Sequence, residues 1–152
     1  MTGKALPDFE LLATGNQRFQ LSAFKGHPFE IYFYPKDDTP GCTDESIQFR
    51  DLYQQFQAAG YPIFGISRDS LASREKFKRK MSSPFELLSD TDEKACGVFG
   101  VMKMKNMYGK HARCIARSTF IVGRNGEIVK EWRGAKISGH AQAVMDAIGT
   151  LG

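Results

Sequence analysis

The sequence predicts an α/β domain in which a mixed central sheet is flanked by helices. Three observations predict it. Short and nearly continuous apolar runs, at 29–34 and 62–67, read as strands covered on both faces. Segments with the apolar period of an amphipathic helix stand between such runs. Near the end, a turn signal separates two β-rich runs and adds a hairpin. The order strand, helix, strand, helix, then hairpin and closing helix places helices on both sides of one sheet.

Each element has a local reason. Residues 29–34 are aromatic and β-branched apart from Glu30, and Pro35 stops them before a turn-prone stretch ending at Gly41. From Thr43 the period changes: Phe49, Leu52, Tyr53 and Phe56 fall at i, i+3, i+4 and i+7, one face of a helix that Gly60 ends. Residues 62–67 form the next strand. Residues 70–81 read as a helix with Ser70 as its N-cap. A short strand is expected at 85–88 and a short helix at 92–98. Residues 100–113 are basic and methionine-rich, with no periodicity that selects helix or strand. Strands at 118–122 and 127–132 flank Arg124, Asn125 and Gly126. Ala141, Val144, Met145, Ile148 and Leu151 share one face of a final helix.

A chain of 152 residues suits one domain spanning 1–152, with room for a sizeable core. The net charge of +4 is diluted by acids along the chain, so no nucleic-acid surface is expected. The densest basic run, Arg74 to Lys80, reads as a solvated helix face. The N-terminus lacks the apolar segment of a signal peptide, and no stretch is long enough to span a membrane. Cys42, Cys96 and Cys114 are odd in number, widely spaced and without a C-x-x-C pair, which points to a reducing cytoplasm over a secreted disulfide framework. His27, His111 and His140 show no ligand spacing, and His140 reads as a cap-region residue of the last helix. No metal site and no nucleotide cofactor are expected. Met102, Met104 and Met107 read as a packing-adaptable segment.

Cys42 carries the chemistry. It lies at a strand-to-helix junction, where free N–H groups and the positive end of the helix dipole favour a thiolate, the nucleophilic form. A buried cysteine acting as a small hydrophobe is the competing reading.

Pro35, Thr39, Cys42 and Glu45 form the pattern P-x-x-x-T-x-x-C-x-x-E, which resembles the peroxidatic motif of peroxiredoxins. The string from Tyr32 to Thr43 is similar to that of the bacterioferritin comigratory protein (peroxiredoxin Q) branch. The segment from Ile115 to Ile121 matches the strand on which that family carries its active-site arginine, here Arg117. The ending from Trp132 to His140 is similar too, so the resemblance covers nearly the whole chain. It implies a thioredoxin-like fold, which the element order also matches. It implies a thiol-dependent peroxidase acting on hydrogen peroxide and organic hydroperoxides through a Cys42 sulfenic acid. In that reading the Thr39 hydroxyl and the Cys42 N–H hold the peroxide, and Arg117 stabilises thiolate and transition state. Glu45 orients Arg117, while Pro35 and Pro40 shield the pocket.

The sulfenic acid must then be reduced. Relatives often carry a resolving cysteine five positions after the first, where this chain has Ile47, or near Phe77 and Lys78, where it has none. An external thiol, thioredoxin or glutathione with glutaredoxin, is therefore the expected reductant of a chain expected to be monomeric. Cys114 and Cys96 remain candidate resolving cysteines. Cys96 is better placed for packing on its short helix, and strand alternation sets Cys114 and Arg117 on opposite faces. A thioredoxin-like disulfide oxidoreductase is the alternative enzyme class, but it wants a partner cysteine beside Cys42. A catalytically inactive binding module is opposed by the joint presence of Thr39, Cys42 and Arg117.

Overall fold

The computed structural model describes residues 6–36, 40–107, 109–134 and 139–151. Its elements are β1 (Glu10–Ala13), β2 (Gln17–Gln20), a 3-10 turn (Leu21–Phe24), β3 (Phe29–Phe33), α1 (Pro40–Ala58), β4 (Ile63–Ser67), α2 (Leu71–Met81), β5 (Leu87–Ser89), α3 (Lys94–Phe99), β6 (Met102–Met107), β7 (Lys110–Ile115), β8 (Ser118–Val122), β9 (Ile128–Arg133) and α4 (His140–Leu151). Among the described residues, seven strands form one sheet in the order β2-β1-β5-β4-β3-β8-β9, and β6 and β7 pair separately. β3 runs parallel to β4 and β4 to β5, while β3–β8, β8–β9, β1–β2 and β1–β5 are antiparallel. This is the expected mixed sheet.

Side-chain alternation divides the core. Phe29, Ile31 and Phe33 join Phe120, Val122 and Phe99 on the face that α3 covers. Tyr32 and Tyr34 point the other way, toward Phe49 and Phe56 of α1, Phe77 of α2 and Val144 and Ile148 of α4. Phe49 stacks on Tyr32 with ring centroids 4.5 Å apart. Gly65 makes this stack fit, because a β-carbon there would lie 2.8 Å from the Tyr32 ring. Ser70 caps α2 as expected, its hydroxyl accepting from the Ser73 N–H at 3.2 Å.

Several expectations are corrected. The hairpin β1–β2 and the turn after it had no counterpart in the sequence reading, since four-residue strands carry too few alternations to register. The undecided stretch at 100–113 holds the β6–β7 ribbon. α1 begins at Pro40, not at Thr43, because proline suits the first helical position, where no N–H is required. The solvated face read at 74–80 fails at Arg74, which is fully buried. Its guanidinium donates to Tyr34 Oη, to Ser67 Oγ at 2.8 Å and to the Gly65 carbonyl at 2.6 Å, so a charge is held inside by fixed acceptors. His140 starts α4 as expected, but its ring is buried: Nε2 lies 2.7 Å from Thr119 Oγ1, with edge-on contacts to Phe49 and Trp132. Burial, and then the Arg117 charge, pull His140 down to about 4, so the ring is neutral at pH 7.

Candidate active site

Cys42 is the third residue of α1, inside its first turn, and only 2% of its surface is exposed. The first N–H groups of a helix have no partner within it, so this turn offers donors to an anion at the sulfur. Glu45 follows at i+3 and so shares its helix face. Burial of Cys42, Ser46 and Phe49 on the core side fixes α1 with that face inward. Tyr32 Oη and Ser46 Oγ, 3.1 Å apart, add a polar tie between β3 and α1.

Arg117 reaches this face from the link between β7 and β8. Two bonds hold that link: the Ala116 N–H donates to the Val101 carbonyl at 2.8 Å, and Ser118 Oγ donates to the Ala116 carbonyl at 2.8 Å. The ribbon leading into it is anchored by Glu93, which pairs with Arg113 at 2.7 Å and Arg68 at 3.3 Å. So fixed, Arg117 donates Nη2 to Cys42 Sγ at 3.3 Å and Nη1 to Glu45 Oε1 at 2.7 Å. The guanidinium thus spans sulfur and carboxylate, as a planar fork can and an ammonium cannot.

Burial pushes Glu45 up to about 7, and the charge and hydrogen bond of Arg117 only partly oppose it. Burial would lower Arg117, but Glu45 first and then Cys42 outweigh it and leave the guanidinium above its ordinary value. Around neutrality Glu45 therefore changes between a carboxylate, which shares the Arg117 charge, and a neutral acid, which leaves more of that charge to the sulfur.

The structure brings Cys42, Glu45 and Arg117 together, and Pro35 lies half-buried at the end of the strand leading to them. Thr39 lies outside the described residues, as does the side chain of Pro40. All three cysteines are free. Cys96 is buried in the core on the α3 face of the sheet, whereas Cys42 belongs to the opposite face. Its N–H donates to Asp90 at 2.8 Å, and burial followed by the Asp90 carboxylate pushes its thiol far up, away from the reactive form. Cys114 is half-exposed on β7 opposite Lys103. Among the described residues no group of three or more metal-ligating side chains is found.

Two residues near the site escaped the sequence reading. Thr119, two positions after Arg117, bonds His140 and carries no signal of its own. Glu30 did carry one, a single charge inside an apolar run, and it proves fully buried on β3.

A strand-to-helix cysteine thiol bridged by a half-buried arginine to a buried glutamate, on a mixed sheet, defines a thiol-based redox enzyme. The model of the AhpC/TSA family matches residues 2–131, and the chain belongs to that family. Within it the similarity points to one branch of peroxiredoxins. Peroxiredoxin Bcp of Xanthomonas campestris is 47% identical over 93% of this chain and 88% of its own length. Peroxiredoxin Bcp of Bacillus subtilis is 42% identical, covering 98% and 93%. A structure of the Xanthomonas campestris bacterioferritin comigratory protein, studied for alkyl peroxide reduction, superimposes with a TM-score of 0.93 at 43% identity over 99% of both chains. This chain is a peroxiredoxin of the bacterioferritin comigratory protein (peroxiredoxin Q) branch, with the thioredoxin-like fold, and a thiol-dependent peroxidase.

Proposed function

We propose that Cys42 is the peroxidatic nucleophile and that its sulfenic acid is reduced by a thiol from outside the chain. The contact of Arg117 with both Cys42 Sγ and Glu45 carries this reading. The thiolate attacks one peroxide oxygen, a sulfur–oxygen bond forms and the O–O bond breaks. The leaving oxygen departs as water or an alcohol, taking up the proton that the Cys42 thiol gave up on ionising, and the sulfur is left as the sulfenic acid. Arg117 offsets the charge of the sulfur and of the transition state, Glu45 holds Arg117 in place, and the Thr39 hydroxyl is assigned to the peroxide by family resemblance. A first external thiol then displaces the sulfenic oxygen as water and forms a mixed disulfide. A second thiol releases Cys42 and leaves as the disulfide.

Supporting the external route are Ile47 where relatives often resolve internally, the lack of a cysteine in the stretch from Phe77 to Arg79, and Cys96 on the far face of the sheet. The half-exposed Cys114 is the competing internal partner. Thioredoxin, or glutathione with glutaredoxin, fits as reductant, hydrogen peroxide and organic hydroperoxides as substrates, and a cytoplasmic monomer as the working form. No described helix is long and apolar enough to cross a membrane. Intact-mass analysis after stoichiometric peroxide tests the route. The expected product carries one added oxygen on Cys42. A loss of two hydrogens that disappears in Cys114→Ser or Cys96→Ser would instead establish an internal disulfide.

A further inference from the structure

Glu30 is a fully buried carboxyl that the peroxidase reaction does not use. β3 alternation turns it to the same face as Tyr32, beneath the layer of α1 and α4. Its register partners are Ile63 on β4 and Ile121 on β8, both buried. Neither of its oxygens has a hydrogen-bond partner among the described residues. A carboxylate left so would be far more costly than an acid, and even the acid lacks the bonds it would have in water.

We propose that Glu30 is a latch on α1: protonated, it lets α1 and α4 lie closed on the sheet, and its ionisation releases α1, with Cys42 in its first turn, as pH rises. The described groups around it offer its charge no partner. From α1 it faces Glu45, a second buried acid with an unpartnered oxygen, whose charge opposes its own. On its own strand the titratable neighbour is Tyr32, bonded to Ser46. From α4 the core-facing residues are Val144 and Ile148; His140 is neutral and tied to Thr119, and Asp146 bonds Gln142 on the exposed side. Lys130, beyond Ile121 on the same sheet face, is exposed and lies over the Trp132 ring. No described cation lies within bonding reach of the carboxyl.

Burial first, and Glu45 second, hold Glu30 well above the ordinary carboxyl value of 4.5. Wherever the closed state binds this proton and the open state does not, opening gains about tenfold per pH unit. Glu45 contributes a similar term only up to about pH 7, where it ionises in place. A slope that persists above pH 7 and vanishes without the Glu30 carboxyl belongs to Glu30. Closed α1 keeps Arg117 on the sulfur for peroxide, and open α1 exposes a sulfur otherwise out of reach of a bulky thiol. That last consequence rests on the proposed role of Cys42, whereas the opening itself does not.

Hydrogen exchange on the full chain tests it, following amides of residues 46–56 from pH 7 to pH 9, corrected for intrinsic exchange, with urea unfolding in parallel. The parent is expected to open more at pH 9 than at pH 7, by at most about tenfold per pH unit, and Glu30→Gln and Glu30→Leu to show no such rise. An equal rise in both variants, or exchange of these amides only through global unfolding, overturns the latch. Peroxide consumption by the same samples is scored separately. A Glu30-dependent slope in a chain without peroxidase activity would sink the role of Cys42 and leave the latch standing.

Discussion

Removing Arg117 is the sharpest test of the site, because it touches sulfur and carboxylate at once. Two unit charges at the 3.3 Å separating Arg117 Nη2 from Cys42 Sγ interact by about 5 kcal/mol at an effective dielectric constant near 20. The Arg117 side chain is only 16% exposed, so solvent screens little of this. A single preorganised donor in such a site is typically worth about 3–4 kcal/mol of transition-state stabilisation. Arg117→Met should therefore lower the second-order rate of Cys42 oxidation by roughly 10²–10³-fold. Arg117→Lys keeps the charge but cannot bridge both partners, and should fall between. Met also strands Glu45, which then takes up a proton, so its stability cost should be small at pH 6 and grow toward pH 8. Adding Glu45→Gln to Arg117→Met should remove that cost without restoring the rate. Stopped-flow oxidation of the reduced protein, with urea unfolding at both pH values, measures all of this. A rate in Arg117→Met within about threefold of the parent, or recovery in the double variant, would refute the assignment.

Three further outcomes are expected. Glu45 binds its proton more tightly folded than unfolded, so it favours folding fully below about pH 4.5 and loses that contribution as pH rises through about 7. Between pH 5 and pH 8, Glu45→Gln should gain up to about 3 kcal/mol over the parent in urea unfolding; an offset independent of pH would contradict the buried-acid description. Cys96→Ser should leave peroxide turnover with an external thiol unchanged, and a drop beyond about threefold would assign Cys96 a redox role. Phe49→Ala should cost about 3–5 kcal/mol, because this fully buried ring stacks on Tyr32 and meets the His140 ring edge-on. A loss below about 1 kcal/mol would show that the α1 layer collapses around the gap.

Much of this was legible in the sequence because it is local. The apolar runs on β3 and β4, the stripe from Phe49 to Phe56 and the Ser70 cap each follow from a few adjacent residues. Cys42 and Glu45, three apart on a helix, must share a face. Pro40 even marks the true start of α1, ahead of the apolar period that begins after Thr43. The pattern of Pro35, Thr39, Cys42 and Glu45, with Arg117 far along the chain, pointed to the chemistry through its resemblance to the peroxiredoxin motif, before any geometry.

What only the tertiary structure decided concerns partners brought from a distance. Arg74 looked solvated because a helix-face pattern cannot see Tyr34, Ser67 and the Gly65 carbonyl converging on it. The ribbon at 102–115 was unreadable since much of it stands outside the main sheet, where no core face imposes an apolar alternation. Cys96 could have been near Cys42 or far from it; the fold sets them on opposite faces of the sheet. Sequence by itself singled out Cys42 as the candidate nucleophile, together with the residue types expected to serve it. Its burial, the span of Arg117 from sulfur to Glu45, and the sealing of Glu30 beneath α1 were set by packing, because burial and charge contact are properties of the folded chain and not of any segment within it.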